Sequence, residues 1–149
     1  MKKDVPVTIR GILPANSGCA IFVGNDEKVF VIQVEHNMGA VIGMFLRDTP
    51  KERPLTHDLL NFILNGFSIS VERVVITELK NSTYFARLFL HQSNELGRKL
   101  VEIDARPSDC LAIAAAQKHY FLSRKPAPIT LGMFSTILRS HDFTRFGGI

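Results

Sequence analysis

Residues 100–110 read Leu-Val-Glu-Ile-Asp-Ala-Arg-Pro-Ser-Asp-Cys, and they predict a strand that turns directly into a helix. The apolar start of this stretch favours a β-strand, and Pro107 suits the first turn of a helix, where its missing N–H removes no hydrogen bond. Residues 111–116, Leu-Ala-Ile-Ala-Ala-Ala, are mostly strong helix formers. Open α/β sheets usually carry their chemistry just beyond the carboxyl end of a strand. The polar residues at this junction, and so the expected site, are Asp104, Arg106 and Asp109.

Outside this junction, strands and helices interleave irregularly. The segments 19–23 and 29–34 flank a Gly-Asn-Asp turn and predict a hairpin, and the β-branched and aromatic segments 69–79 and 84–91 predict a second one. Apolar residues at helical spacing predict a helix over 38–46. Together these patterns predict an α+β fold, with a mixed, mostly antiparallel sheet of about six or seven strands and three or four packed helices.

Two details of the predicted helices bear on packing. Gly39 and Gly43, four residues apart, indicate a close backbone approach to a neighbouring element. A second helix is expected to begin after an N-cap at Thr56. Its apolar stripe is expected to consist of Leu59, Leu60, Ile63 and Leu64.

Length and composition indicate one globular domain. The chain has 149 residues, of which 46% are hydrophobic and 21% charged. We expect a domain over residues 5–123, followed by a helical extension over 124–149. No apolar run approaches the roughly 20 residues that span a bilayer, and residues 1–6 lack the apolar segment of a secretory signal. With Cys19 and Cys110 in no metal or redox spacing, these features favour a cytoplasmic protein in which Cys110 is a small buried hydrophobe.

The formal net charge of +4 is unevenly distributed. Residues 1–116 carry equal numbers of basic and acidic side chains, so the whole excess lies in residues 117–149. A basic C-terminal third could contact nucleic-acid phosphate, but five positive charges spread over this segment also fit an ordinary solvated surface. Charge alone does not decide between these two interpretations.

Three blocks of sequence resemble the bifunctional nuclease family. Asp104-Ala-Arg-Pro-Ser-Asp109 before an alanine-rich helix is similar to its signature, and residues 54–60, Pro-Leu-Thr-His-Asp-Leu-Leu, are similar to one of its helix starts. Residues 72–79 with 84–88 resemble its central hairpin, so the resemblance covers roughly residues 5–123. Two departures are the absence of an alanine-rich helix after Glu35 and a cysteine at position 110. The family name implies combined DNase and RNase activity, but the resemblance assigns no catalytic residues.

Phosphodiester hydrolysis commonly uses carboxylates that hold Mg²⁺ or Mn²⁺, together with cations that bind phosphate. The candidate carboxylates stand at predicted strand-to-helix junctions or helix starts, where they could share one such ion. Next to one of them, His57 is a candidate general base, and Arg106 is a candidate phosphate ligand. The proposed metal ligands are Glu35, Asp58, Asp104 and Asp109, of which Asp104 and Asp109 are also catalytic candidates.

Each of these residues also has a structural explanation. Asp58 and Asp109 could stabilise helix N-termini, Glu35 could cap a helix, and Arg106 could pair with Asp104. His57 could be an exposed residue of a first turn. Two functions therefore stay open: a metal-dependent nuclease of relaxed specificity that acts on DNA or RNA, and a non-catalytic interaction or regulatory domain. No membrane partner is expected, and a homodimer is plausible because sheet edges need cover.

The second hairpin raises one further alternative. Arg73 and Arg87 could bind single-stranded nucleic acid together with Phe85 and Phe89 if the four side chains share a face. We expect instead that both phenylalanines lie in the core, because a small domain needs its large apolar side chains there.

Overall fold

The computed structural model describes residues 5–79, 83–120, 129–131 and 138–139. In chain order the elements are β1 (Val5–Ala15), β2 (Gly18–Gly24), β3 (Lys28–Val34), α1 (His36–Leu46), α2 (Thr56–Gly66), β4 (Ile69–Leu79), β5 (Thr83–Asn94), β6 (Gly97–Ala105), α3 (Pro107–Tyr120), β7 (Ile129–Leu131) and β8 (Leu138–Arg139). The predicted α+β class is confirmed.

Two three-stranded antiparallel units form most of the sheet. One consists of β1, β2 and β3, and the other of β4, β5 and β6. The short strand β7 joins them, since it pairs antiparallel with β1 and parallel with β4. The strand order is β6-β5-β4-β7-β1-β2-β3-β8, so the sheet is mixed, as predicted.

Residues 124–149 lie largely outside the described part of the chain. Within this segment the structure describes β7 and β8, so residues 129–131 and 138–139 lie in strands. The prediction of a helical extension otherwise stays a prediction.

The core lies between the sheet and the three helices. Helix α3 is buried on all sides from Cys110 to Gln117, and it packs against both α1 and α2 and over β4 and β5. A helix that is apolar on every face belongs in the middle of a domain, which explains the alanine-rich run. The largest fully buried apolar side chains of this core are Phe30, Phe45, Ile21, Ile42, Ile76 and Leu111.

Helix α1 approaches the sheet closely at Gly39. A Cβ at this position would overlap the side chain of Cys19 on β2, so the predicted close approach to a neighbouring element is confirmed there. Gly43 does not mark such an approach to the sheet. A Cβ at this position would meet the guanidinium of Arg47, which directly follows the same helix.

Helix α2 buries a different face from the one that was predicted. Its buried residues are His57, Asp58 and Asn61, whereas the exposed fractions of Leu59 and Ile63 are 53% and 47%. Thr56 is the first helical residue, and Leu55 occupies the N-cap position. The apolar spacing correctly identified a helix but assigned the wrong face to the interior.

The sheet face opposite the helices carries the basic and aromatic residues of the second hairpin. Arg73 lies opposite Phe89, with its guanidinium carbon 4.4 Å from the ring centre. Phe85 is 45% exposed, so its predicted place in the core is wrong. A bulge between Val71 and Arg73 turns Val71 inward and leaves Arg73 on the outer face.

Candidate functional site

The candidate site is centred on the start of α3. The backbone N–H of Cys110 donates to the carbonyl of Arg106, so Arg106 precedes the helix, Pro107 opens it and Asp109 lies in its first turn. Nε of Arg106 donates to Oδ2 of Asp109 at 2.8 Å, and Nη2 donates to Oδ1 at 3.2 Å. This two-point ion pair holds the carboxylate in a fixed orientation. The expected pairing of Arg106 with Asp104 is therefore replaced by a pairing with Asp109.

A histidine from α2 completes this group. Nε2 of His57 lies 3.0 Å from Oδ1 of Asp109, although the two residues are 52 positions apart in the chain. An ionised carboxylate only accepts hydrogen bonds, so Nε2 is the donor in this contact, and in a ring that carries one proton Nδ1 is then the basic nitrogen. His57 is 7% exposed, so the prediction of an exposed first-turn residue is wrong.

The charges within this group reinforce one another. The hydrogen bond from Arg106 is the main reason that the pKa of Asp109 lies below its usual value, and His57 lowers it further, while partial burial opposes both effects. In return, the hydrogen bond and charge of Asp109 raise the pKa of Arg106. Asp109 is therefore an anion and not a proton donor at neutral pH.

Glu35 belongs to the surroundings of this group. It occupies the N-cap position of α1 without a side-chain capping bond, and its charge contributes to the raised pKa of Arg106. The first turns of α2 and α3 thus meet beside Arg106, and the N-cap residue of α1 is close enough for its charge to act on Arg106. Helix N-termini carry partial positive charge, which here acts on the carboxylates of Glu35 and Asp109 as well as on any anion that approaches Arg106.

Asp58 points into a separate, structural arrangement. It is fully buried, its Oδ2 accepts a hydrogen bond from the backbone N–H of Leu55 at 2.8 Å, and the same oxygen forms an ion pair with Nζ of Lys51 at 3.2 Å. Nζ of Lys51 also lies 4.1 Å from the ring centre of Phe45. Asp58 therefore caps α2 and anchors the loop between α1 and α2.

Asp104 lies on the other side of the sheet. It pairs with Arg87 in the register of β5 and β6, and directly opposed residues point to the same face. The neighbouring residues of Arg87, Ala86 and Leu88, are buried towards the helices, so Asp104 and Arg87 face away from them. The structure therefore does not bring Asp104 to His57 and Asp109.

The predicted metal ligands do not form a metal centre as they are placed. Among the residues that the structure describes, no group of three or more His, Cys, Asp or Glu side chains could hold a metal ion. The reasons are local, since Asp58 is engaged by Lys51, Asp109 by Arg106 and His57, and Asp104 faces away. The donors present do not fit a shared Mg²⁺ or Mn²⁺ ion.

Cys110 has no role in nucleophilic chemistry. Its thiol is fully buried, and burial is the main cause that raises its pKa to about 12, with smaller contributions from Asp109 and Asp104. The thiolate, which is the reactive form, is therefore scarce at neutral pH. The prediction of a small buried hydrophobe is confirmed.

The sequence reasoning missed two residues near the site. Lys51 lies in the loop between α1 and α2, and Asn61 lies among apolar residues of α2. Asn61 is 3% exposed, and within the described residues its Nδ2 has no hydrogen-bond partner. A usable signal was the spacing of His57, Asp58 and Asn61, because positions i, i+1 and i+4 share one helical face.

Fold and geometry define an α+β protein with a histidine–carboxylate pair and an exposed arginine at converging helix starts. Over residues 21–125 the chain matches the model of the bifunctional nuclease domain, and because this is more than half of its length, it belongs to that family. Membership indicates a nuclease-like or nucleic-acid-related role.

The similar proteins do not indicate a more specific function. Two proteins from two strains of Mycobacterium tuberculosis, each described only as uncharacterized, are 29% identical over 90 residues. This match covers 60% of the present chain and 51% of each relative, so the chain spans about half the length of these proteins. In the described part of the chain, no helix has the length and apolar character that crossing a membrane requires.

Proposed function

We propose that this protein is a nuclease that cleaves phosphodiester bonds of DNA or RNA with His57, Asp109 and Arg106 as its reactive group. The observation that supports this most strongly is the 3.0 Å bond between Nε2 of His57 and Oδ1 of Asp109, beside the two-point contact of Arg106. A base oriented by a carboxylate is a recurring arrangement for activating a hydroxyl or water nucleophile.

The proposed chemistry assigns one task to each side chain. Nδ1 of His57 takes the proton from the attacking hydroxyl or water as its oxygen bonds to phosphorus. Asp109 holds the ring in the required tautomer and stabilises the imidazolium that forms. As the leaving oxygen departs from phosphorus, the proton passes to it, directly or through solvent.

Arg106 is proposed to bind the phosphate. Two of its nitrogens bond Asp109, and its side chain is 63% exposed, so its remaining N–H groups are open to an arriving anion. Negative charge that accumulates on the phosphoryl oxygens during attack would be stabilised by this cation and by the nearby helix N-termini.

Metal dependence and a cytoplasmic location stay proposals. The expectation of Mg²⁺ or Mn²⁺ came from the usual chemistry of nucleases and from four carboxylates, and the arrangement of those carboxylates lends it no support. A comparison of cleavage with chelator and with each added ion tests it directly.

A second candidate function is a non-catalytic interaction or regulatory domain. The burial of His57 and the engagement of both Asp109 oxygens favour it, because the same bonds could simply fasten α2 to α3. In this case Arg106 and the turn around it would be a structural or partner-binding element.

An assay on highly purified protein separates the two candidates. We expect cleavage of labelled single-stranded or double-stranded DNA or RNA by the wild type, with losses of about 100-fold or more for His57→Gln and Arg106→Gln. Arg10→Gln is the matched control, since Arg10 is also an arginine in an ion pair, with Asp26 on the β2–β3 turn. Absence of cleavage by the wild type, or equal rates for all variants, would refute the nuclease and favour the interaction domain.

A further inference from the structure

Strand β6 lies at one end of the sheet. It pairs with β5 along one side, and among the described residues no strand pairs with its other side. Most of its nine residues are exposed, including Leu100 at 59% and Ile103 at 40%. An edge of this length offers a row of backbone donors and acceptors to another strand, and natural proteins usually blunt such edges with proline or with charges that repel a partner.

Strand β6 also carries charges, on Arg98, Lys99, Glu102 and Asp104, but their order along the strand is complementary to a second copy of it. In an antiparallel pair related by a two-fold axis, opposed residues must share a sheet face, so their numbers differ by an even amount. Centred on Leu100, this pairing puts Leu100 opposite its counterpart and Arg98 opposite Glu102, twice by symmetry.

Other registers are less favourable. A pairing centred on Val101 would set Leu100 against Glu102, although it would match Arg98 with Asp104. A centre at Glu102 would oppose two copies of Glu102, and a centre at Ile103 would oppose Glu102 and Asp104. Like charges directly opposite each other destabilise a sheet.

We propose that two copies of this chain associate through β6, antiparallel and centred on Leu100, so that the two sheets become continuous. The pairing satisfies the free backbone groups of both edges, removes two exposed leucines from water and forms two Arg98–Glu102 pairs. It is independent of whether the protein is a nuclease.

Charge reversal tests the pairing. By sedimentation analysis over a range of concentrations, we expect a wild-type dimer and a dissociation constant raised about tenfold or more by Arg98→Glu or by Glu102→Arg. The double variant restores opposite charges and with them the dimer. Arg10→Glu, an exposed arginine on β1, is the control and should leave the dimer intact.

The charge-reversal variants should remain folded. Glu102 already bonds Arg87 at 3.6 Å, but both side chains are about half exposed, at 51% and 53%, so loss of this pair costs little stability. Circular dichroism of each variant checks this. A monomeric wild type, or a double variant as weakly associated as the single ones, would overturn the proposal.

Cross-linking tests the register. Leu100→Cys would place two thiols opposite each other with Cα atoms about 5 Å apart, a separation that a disulfide spans. Leu96→Cys, at a 97% exposed position, would place its two thiols about 27 Å apart in the same register. Cys19 and Cys110 are buried and should not interfere. We expect an oxidised dimer for Leu100→Cys alone, and equal cross-linking of both variants would refute the register.

Discussion

At the scale of single residues, two of the predicted metal ligands instead form ion pairs and hydrogen bonds that hold helices and loops in place. Asp58 holds Lys51 and the start of α2, while Asp109 holds Arg106 and His57. Buried or half-buried carboxylates need such partners, because an unpaired charge in the interior is costly. The first of these arrangements is a matter of stability, and the second also provides the proposed chemistry.

Removal of the buried carboxylate should be strongly destabilising. We expect Asp58→Ala to lower the free energy of unfolding by about 3 kcal/mol or more, because Lys51 would keep a largely buried charge without its partner. Urea unfolding followed by circular dichroism measures this. Asp26→Ala is the control, since Asp26 pairs with Arg10 in the open at 95% exposure and should change little. Equal effects of the two substitutions would show that the Lys51–Asp58 pair does not anchor the loop.

The Asp109 cluster predicts a dependence of stability on pH. The pKa of Asp109 in the folded protein lies below its ordinary value of 3.8, chiefly because of the hydrogen bond from Arg106. The fold therefore favours the ionised form, so the stabilisation is complete above about pH 4 and is lost as the pH falls through the lower, folded pKa. At neutral pH, Asp109→Asn should cost roughly 1 to 3 kcal/mol.

The measurement is the difference in unfolding free energy between wild type and Asp109→Asn at a series of pH values. This difference should shrink in the acid range below pH 4. Asp26→Asn provides the matched comparison and should show little difference at any pH. A difference for Asp109→Asn that stays constant down to the acid limit would contradict the account of this cluster.

Only part of this site could be predicted from local sequence. The position of Arg106 and Asp109 at the start of α3 follows from Pro107 and the helix formers behind it. Nothing local indicates that His57 reaches Asp109, because the contact spans 52 residues and depends on how α2 packs against α3. Asp104 was grouped with Asp109 because it is near in sequence, but alternation along β6 turns it to the opposite face of the sheet.

At the scale of elements, apolar periodicity identified the hairpins and helices but not always the face that is buried. In α2 the interior face carries His57, Asp58 and Asn61, because ionic and hydrogen-bonded partners on α3 and in the preceding loop hold that side inward. Leu59, Leu60 and Ile63 are exposed as a result. A hydrophobic stripe predicts burial only when no stronger polar contact fixes the helix in another orientation.

The close contact of α1 with the sheet predicts a glycine requirement. Gly39→Ala should lower the free energy of unfolding by roughly 1 to 3 kcal/mol, because its Cβ would overlap Cys19 and force α1 away from β2. Gly66→Ala is a matched control at the end of α2, where a Cβ would meet nothing within 4 Å. Thermal or urea unfolding of both variants decides the matter. If Gly39→Ala is as stable as Gly66→Ala, the close approach is wrong.

At the scale of the whole molecule, the sheet consists of two antiparallel units that meet at β7. Composition and sequence periodicity were sufficient to predict the α+β class and a mixed, mostly antiparallel sheet with three or four packed helices. The strand order could not be predicted from these patterns. Strand β7 inserts between β1 and β4 from a distant part of the chain, and a three-residue strand has no periodicity to detect. This topology brings the first turns of α2 and α3 together at Asp109, beside Arg106.

The most direct test of the central claim, that His57 and Asp109 act together in phosphodiester cleavage, is a double-mutant cycle on kcat/KM. His57→Gln, Asp109→Asn and the double variant are compared with the wild type on one labelled oligonucleotide, with circular dichroism to confirm that each is folded. When two residues act as a unit, removing either one already abolishes their joint contribution to kcat/KM. We therefore predict that the double variant is about as slow as the slower single variant. Losses that multiply independently, or variants that cleave as fast as the wild type, would contradict the claim.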